Sequence, residues 1–356
     1  RDRADLLRCA PLQPPAATMH APAIVHAIPD ALRATQRLAW ARAATGEPAL
    51  ELQRASMDAG FRSYWRTRGA GPGRIVMDSP PDLEDVRPWL EVRDLLDAGS
   101  VRVPRVDARD IEAGFLLLED LGGDTCLQAL ARLDADALME AAFDQLLRLQ
   151  AVAPPAGLPA YDAPMLLREL ALFDDWFLGR HLGVELDADE RAALDGVKAL
   201  LVDAMLAQPQ VLVHRDYMLR NLMPVADGVA VLDFQDAVRG PVAYDPVCLL
   251  RDAFHSWPEA RVEGWLARYH ARALAAGLPV PARERFLRDA ALTGVQRHLK
   301  VIGIFARICH RDGKPKYLGD VPRFFTYIRT VLARRPELAE LGELFASLGI
   351  DEGRSA

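Results

Sequence analysis

Three side chains in the middle of the chain have the types and the spacing to hold a metal–phosphate complex beside an attacking hydroxyl. Asp216 and Asn221 stand five residues apart in the polar segment His214 to Asn221, and Asp233 follows beyond a turn at Asp227-Gly228. The stretch VLVHRDYMLRNLMPVADGVAVLDFQDA, residues 211–237, reads as an apolar strand, a polar loop, a short strand, a tight turn and a second apolar strand. Folding back at the turn brings the three side chains toward one point. Phosphoryl transfer needs that set: a carboxylate to take the proton of the hydroxyl, and an amide oxygen with a second carboxylate to hold Mg²⁺ on the phosphates of ATP. A polar hairpin with a capping Asp explains Asp236 or Asp245, but not Asn221 and Asp233 together. His214 is expected to brace the loop by hydrogen bonds rather than to do acid–base work.

The rest of the chain must position these groups. At 356 residues it is long enough for two domains or one bilobal domain. Apolar residues make up 51% and charged residues 26%, the balance of an ordinary globular protein, and no apolar run approaches the ~18 residues of a membrane span. The net charge of -7 argues against a nucleic-acid partner, which would call for a basic excess. Cys9, Cys126, Cys248 and Cys309 show neither C-x-x-C nor zinc spacing and read as scattered thiols. A cytoplasmic enzyme is the expectation, with its oligomeric state open.

Residues 1–29 are rich in Ala and Pro and read as a disordered tail, with Met19 the expected natural start. Asp30 then caps a helix closed by Gly46. LELQRA and RSYWRT flank Ser56 to Phe61 as a hairpin whose tip could lay backbone N–H groups on phosphates, and RIVM follows as the next strand. After Pro80-Pro81 and Asp82 a helix is expected through Val86, Trp89, Leu90 and Leu95-Leu96, ending near Gly99, then a strand from Val101 to Val106, and a nearly all-apolar strand from Gly114 to Leu121 that opens into Gly122-Gly123. Beyond it the pattern is helical: Leu127 to Ala153, Met165 to Leu182, Ala188 to Gln208, Phe286 to Cys309, Val321 to Ala333 and Leu338 to Leu348. Asp245-Pro246 reads as a helix start with a cap and an N1 proline.

With VHRDYMLRN, LDFQDA, AYDPVCLLRDAF and GVQRHLKVIGIFAR in order, the chain resembles the aminoglycoside phosphotransferase superfamily from about Asp30 to Leu348. The string FQDAVRGPVAYDPVCLLRDAF with QRHLK and RDGKPKYL looks most like the bacterial kinases that phosphorylate N-acetylmuramate and N-acetylglucosamine at C1 in cell-wall recycling. The resemblance implies an α+β, bilobal protein-kinase-like fold, with a small β-rich N-lobe at 30–121 and a larger, mainly helical C-lobe at 122–356. It also implies ATP and Mg²⁺, a small-molecule amino sugar as substrate, Asp216 as proton acceptor, and Asn221 and Asp233 as metal ligands. A kinase for an aminoglycoside, choline or homoserine shares the fold, as does a nucleotide-binding pseudokinase.

The chain departs from the family at one group. Its only lysines are Lys198, Lys300, Lys314 and Lys316, so Met77 ends the strand where such folds carry a phosphate-pairing lysine. Arg62 and Arg66 are the candidate replacements, since a guanidinium grips phosphate bidentately; a charge supplied from the C-lobe is the alternative. Ser56 and Asp58 at the hairpin tip, and Glu119 and Leu121 by their backbone, complete the candidate nucleotide contacts. For the sugar, Arg297 and Lys300 are three apart on one helix face, with Tyr217 and Arg251 as further candidates.

Asp216→Asn is expected to abolish phosphoryl transfer while leaving nucleotide binding nearly intact. Asp233→Ala should instead weaken Mg·ATP binding. Single-turnover kinetics and nucleotide titration separate the two, and more than a few per cent of turnover in Asp216→Asn would remove the base assignment.

Overall fold

The computed structural model describes residues 30–55 and 61–350. In chain order the elements are α1 (Asp30–Thr45), β1 (Glu51–Arg54), β2 (Ser63–Arg68), β3 (Arg74–Asp78), α2 (Arg87–Ala98), β4 (Val106–Asp110), β5 (Phe115–Glu119), α3 (Cys126–Ala129) and α4 (Ala135–Ala151). There follow α5 (Ala163–Leu172), α6 (Ala188–Leu206), β6 (Gln210–Val213), β7 (Leu222–Val225), β8 (Gly228–Val231), β9 (Val238–Pro241), α7 (Tyr244–Leu250), α8 (Glu259–Ala275), α9 (Arg283–Asp312), α10 (Val321–Leu332) and α11 (Ala339–Ser347). The expected tail at 1–29, with Met19, lies outside the described residues, as do Ser56 and Asp58.

Two compact units result. A sheet unit comprises Arg220–Gln235 with the described part of Pro14–Gln145, and a helical unit comprises Leu146–Leu219 with the described part of Asp236–Ala356. The boundary expected at residue 121 falls elsewhere in this division, since α3, most of α4 and the separate ladder β7–β8 belong to the same unit as the five-stranded sheet. Backbone pairing and packing give the reason: Val231 N–H donates to the Arg102 carbonyl (2.7 Å), and Phe234 lies 5.1 Å from Trp89 of α2.

The sheet is antiparallel and five-stranded, in the order β1-β2-β3-β5-β4. β5, FLLLE, is an interior strand paired on both sides, which is why its run is apolar throughout, whereas the polar ELQR of β1 forms an exposed edge. Contrary to the strand expected from Val101 to Val106, residues 101–105 form no strand and β4 begins only at Val106, although the Arg105 carbonyl accepts the Glu119 N–H of β5. The Gln145 side chain takes the Arg102 N–H, and β8 takes the Arg102 carbonyl. Before β5 the chain turns at Gly114 (φ 70°), where any Cβ would overlap the Ser79 carbonyl. α1 docks through two arginines one turn apart: Arg33 and Arg37 hold the two oxygens of buried Asp78 at 2.9 and 2.6 Å, and Arg37 stacks over Trp65.

The helical unit is built around α9, thirty residues whose stretch from Leu292 to Gly303 is buried on every face. α5 starts under an Asp162 cap and α6 under an Asp187/Glu190 capping box. The helix expected from Met165 to Leu182 changes its winding at Phe173 and runs to Leu182 as a π-helix of ten residues. That change coincides with the closest approach of α9, where Gly303 lies against the backbone of Leu172 and Phe173. Two short antiparallel ladders complete the chain, β6 with β9 in the helical unit and β7 with β8 in the sheet unit.

A Cβ at position 303 would overlap the Leu172 carbonyl, which cannot rotate away as a side chain could. Gly303→Ala should therefore destabilise the fold by about 3 kcal/mol or more, lowering Tm by roughly 4 °C or more in calorimetry. An unchanged Tm would show that the two backbones can part at little cost.

Candidate active site

Backbone donors of the loop after β6 converge on buried carboxylates. His214 N–H donates to Asp245 Oδ2 (2.7 Å) and Arg215 N–H to Asp245 Oδ1 (3.0 Å), while Leu219 N–H donates to Asp252 Oδ2 (3.1 Å). Asp245 and Asp252 are fully buried, seven residues apart across α7 and its exit. Asp245 is thus inside the helix rather than its cap, which corrects the reading of Asp245-Pro246: Ala243 precedes the helix, and the carboxylate serves the loop. Burial pushes the Asp245 carboxyl up to about 6 against the stabilising His214 ring and both loop amides, and burial likewise raises Asp252. Arg215 is held at φ 75°, a left-handed conformation that costs energy outside glycine and persists because its surroundings impose it. His214, buried, accepts the Asp216 N–H at Nδ1 (3.3 Å), so it braces the loop as expected. Asp216 itself is half-buried.

Under the loop lies a set of cations. Arg215 and Lys300 both hold Glu169, at 2.5 and 2.8 Å, and Lys300 also donates to the Tyr244 hydroxyl (3.3 Å). Burial works against the Glu169 charge, yet Lys300 and Arg215 keep its carboxyl below the usual range. Arg297, 1% exposed, donates to the Arg251 carbonyl (3.3 Å) and to Met218 Sδ (3.2 Å). Arg297 and Lys300 do share a face of α9, but both are consumed inside the protein. This corrects the expectation that they project toward a substrate carboxylate. Tyr217, expected at the substrate, is fully buried against the His214 ring, and Arg251 is clasped bidentately by Glu259 at 3.0 and 2.6 Å.

In the sheet unit, the β7–β8 hairpin brings Asn221 and Asp233 side by side, with Asn221 Nδ2 at 3.5 Å from Asp233 Oδ2. Leu232 N–H donates to the Asn221 carbonyl (2.9 Å). Asp233, at φ 61°, is exposed, and Gln235 Nε2 steadies its Oδ1 at 2.9 Å. Among the described residues no group of three or more His, Cys, Asp or Glu could hold a metal. An amide oxygen with one carboxylate nevertheless suits Mg²⁺, which keeps waters and takes its remaining ligands from phosphates.

Asn221 and Asp233 stand at the edge of a cavity of about 550 Å³, the size of a ligand pocket. Ile75, Leu118, Met223 and Leu232 supply apolar walls, and the segment from Leu118 to Gly123 forms its rim. Leu121 lines this cavity. Glu119 lines it too, but its carboxylate turns to Arg102 (2.9 and 2.7 Å), whose hydrogen bonds hold it below the usual carboxylate range, and its N–H is taken by the Arg105 carbonyl. Arg66 lines the cavity with its guanidinium on Asp120 (2.6 and 3.0 Å) and on the Gly122 carbonyl. Arg62 pairs instead with Glu84 at 3.0 Å, and Met77 is fully buried.

Glu169, Asp252 and the loop-bracing role of Asp245 escaped the sequence reading. One signal was available: AYDPVCLLRDAF buries two aspartates in an otherwise apolar stretch, and such carboxylates need several donors.

The comparisons with known proteins decide the family. The model of a phosphotransferase enzyme family matches residues 51–287. The chain belongs to that family. An N-acetylmuramate/N-acetylglucosamine kinase of Pseudomonas aeruginosa is 58% identical over 302 residues, 85% of this chain and 89% of that relative. One of Pseudomonas putida is 56% identical over the same shares. Among solved structures, an ADP-bound aminoglycoside phosphotransferase superposes with a TM-score of 0.56 at 16% identity, covering 83% of this chain and 98% of its own, a likeness of fold alone.

Asp245→Asn keeps one carbonyl and turns an amide N–H₂ toward one of two N–H donors, so kcat should fall about 10- to 100-fold, the cost of a charge-assisted hydrogen bond. In the wild type, kcat should decline as pH falls through about 6, where Asp245 protonates, and the variant should lose that limb. Stability runs the other way. A carboxyl raised above its unfolded value of 3.8 penalises the fold above about pH 6, and the penalty is relieved as pH drops toward 4. A variant with the same acid limb as the wild type would assign that limb to another group.

Proposed function

We propose that this family member is an ATP- and Mg²⁺-dependent amino-sugar kinase that phosphorylates the anomeric hydroxyl of N-acetylmuramate and N-acetylglucosamine, giving the 1-phosphates. The observation that carries the substrate is the 56–58% identity to the two Pseudomonas relatives, which spans 85% of this chain, more than the family match at 51–287 alone. A small-molecule acceptor, with neither nucleic acid nor membrane as partner, accords with the acidic balance of the chain. No described helix is long and apolar enough to cross a membrane. A reaction that draws on ATP would run in the cytoplasm.

In this reading the Asp216 carboxylate takes the proton of the anomeric hydroxyl as its oxygen bonds to the γ-phosphorus and the bond to the ADP oxygen breaks. An anomeric hydroxyl is more acidic than an ordinary sugar alcohol, so the carboxylate has mainly to be positioned, and the clamps from Asp245 and Asp252 do that. Asn221 and Asp233 would hold Mg²⁺, which neutralises phosphate charge when bound. The apolar walls of the 550 Å³ cavity suit the adenine, with the rim at Leu121 beside it. Arg62, oriented by Glu84, is our choice for the phosphate cation that the lysine-free N-terminal half otherwise lacks. Arg66 would hold the rim at Asp120 and Gly122.

A coupled assay over N-acetylmuramate, N-acetylglucosamine, glucose, choline and kanamycin tests the substrate, and turnover confined to kanamycin or choline would overturn the proposal. Lys300→Ala should lower kcat for both amino sugars alike, since its partner is Glu169; a KM rise confined to N-acetylmuramate would return it to the sugar carboxylate. Arg62→Ala should cost about ten- to a hundredfold in kcat/KM for ATP, and an unaffected variant would place the cation elsewhere.

A further inference from the structure

A second cavity, of about 240 Å³, lies wholly within the helical unit, where the end of α7, α8, the start of α9 and the end of α10 meet. Its floor is apolar, with Leu250, Leu266, Leu287 and Val331 among the lining side chains. Its charged lining is unbalanced, with Arg251, Arg283, Arg334 and Arg335 against Glu259 and Glu263. Glu259 is committed to Arg251 and Glu263 to Arg334. Among the described residues neither Arg283 nor Arg335 makes a side-chain hydrogen bond or ion pair, and Arg335 is drawn to Glu337 only through space, so two guanidinium groups keep N–H donors open toward one cavity. Arg283 is moreover the first residue of α9, which begins without a side-chain cap, so the positive end of a long helix adds to the same field.

We propose that this cavity is a binding site for a phosphate monoester with a compact, partly apolar body, its phosphate held by Arg283 and Arg335. Two guanidinium groups match the two charges of such a phosphate and can each bind it through paired N–H donors. The apolar floor covers the body of the ligand and disfavours inorganic phosphate, which would leave that floor wet. A carboxylate, with one charge, would satisfy only one of the arginines. The site is separate from the nucleotide cavity of the sheet unit, and neither arginine belongs to the catalytic constellation. Its wall nevertheless includes Arg251, whose carbonyl receives Arg297 from beneath the loop.

The test uses the full chain with its nucleotide cavity filled by a non-hydrolysable ATP analogue and Mg²⁺. Calorimetric titration with phenyl phosphate should show one equivalent bound, with inorganic phosphate and phenol each weaker. The double variant Arg283→Ala/Arg335→Ala should bind phenyl phosphate at least about tenfold more weakly, ~1.4 kcal/mol, with unchanged affinity for the ATP analogue. Separate arms with N-acetylglucosamine 1-phosphate and AMP then tell a sugar phosphate from a nucleotide as the natural form. Absence of binding, binding equal to that of phenol, or binding that the double variant leaves untouched would each overturn the proposal. Because no turnover is measured, the outcome does not depend on which acceptor the enzyme phosphorylates.

Discussion

Two successive backbone N–H groups, those of His214 and Arg215, point at one buried carboxylate, and the rest of the helical unit is arranged to keep it there. Burying Asp245 opposes its charge, as its raised pKa records, and the two amide donors offset that cost only while they hold their positions. The arrangement also imposes the left-handed conformation of Arg215. Asp216 therefore leaves the loop in a direction set by α7 rather than by its own preferences. A longer or neutral side chain at 245 could not accept from both amides in the same place.

The charge beneath the loop follows from this constraint. Arg215, once turned by its backbone, projects into the interior, where an unpaired guanidinium would be prohibitive. Glu169 meets it, Lys300 balances Glu169, and Tyr161 and Tyr244 take up remaining hydrogen-bonding capacity. Such a network is high-stakes: removing Glu169 would leave two buried cations facing each other unanswered. Within that network α9 supplies Lys300, from a buried segment that also carries Thr293, Gln296, Arg297 and His298.

In the sheet unit arginine does similar work with different geometry. Arg33 and Arg37 grip Asp78, Arg66 grips Asp120, and Arg102 grips Glu119. Arg66 and Arg102 each grip both oxygens of their carboxylate, which fixes orientation as well as position, as an ammonium does less well. With no lysine in the sheet unit, its internal joints are guanidinium–carboxylate contacts.

Sequence alone determined the chemistry and the type of fold, because both are written in local patterns. The five-residue interval from Asp216 to Asn221, the turn before Asp233, the apolar run of β5 and the long periodic helices each need only neighbouring residues to be read. The brace function of His214 was legible on the same ground. What tertiary structure decided was which polar groups face inward. Arg297 and Lys300 have the spacing of a ligand-facing pair, yet their partners, Met218 and Glu169, are remote in the chain. Asp245 has the neighbours of a helix cap, yet it serves amides some thirty residues earlier. Arg62 and Arg66 stand four apart in RSYWRT, yet Arg62 lies just before β2 and meets Glu84 whereas Arg66, within β2, meets Asp120. Period and composition fix the face on which a charge lies, whereas desolvation and the partner brought to it by the fold determine whether that charge meets a ligand or the protein itself.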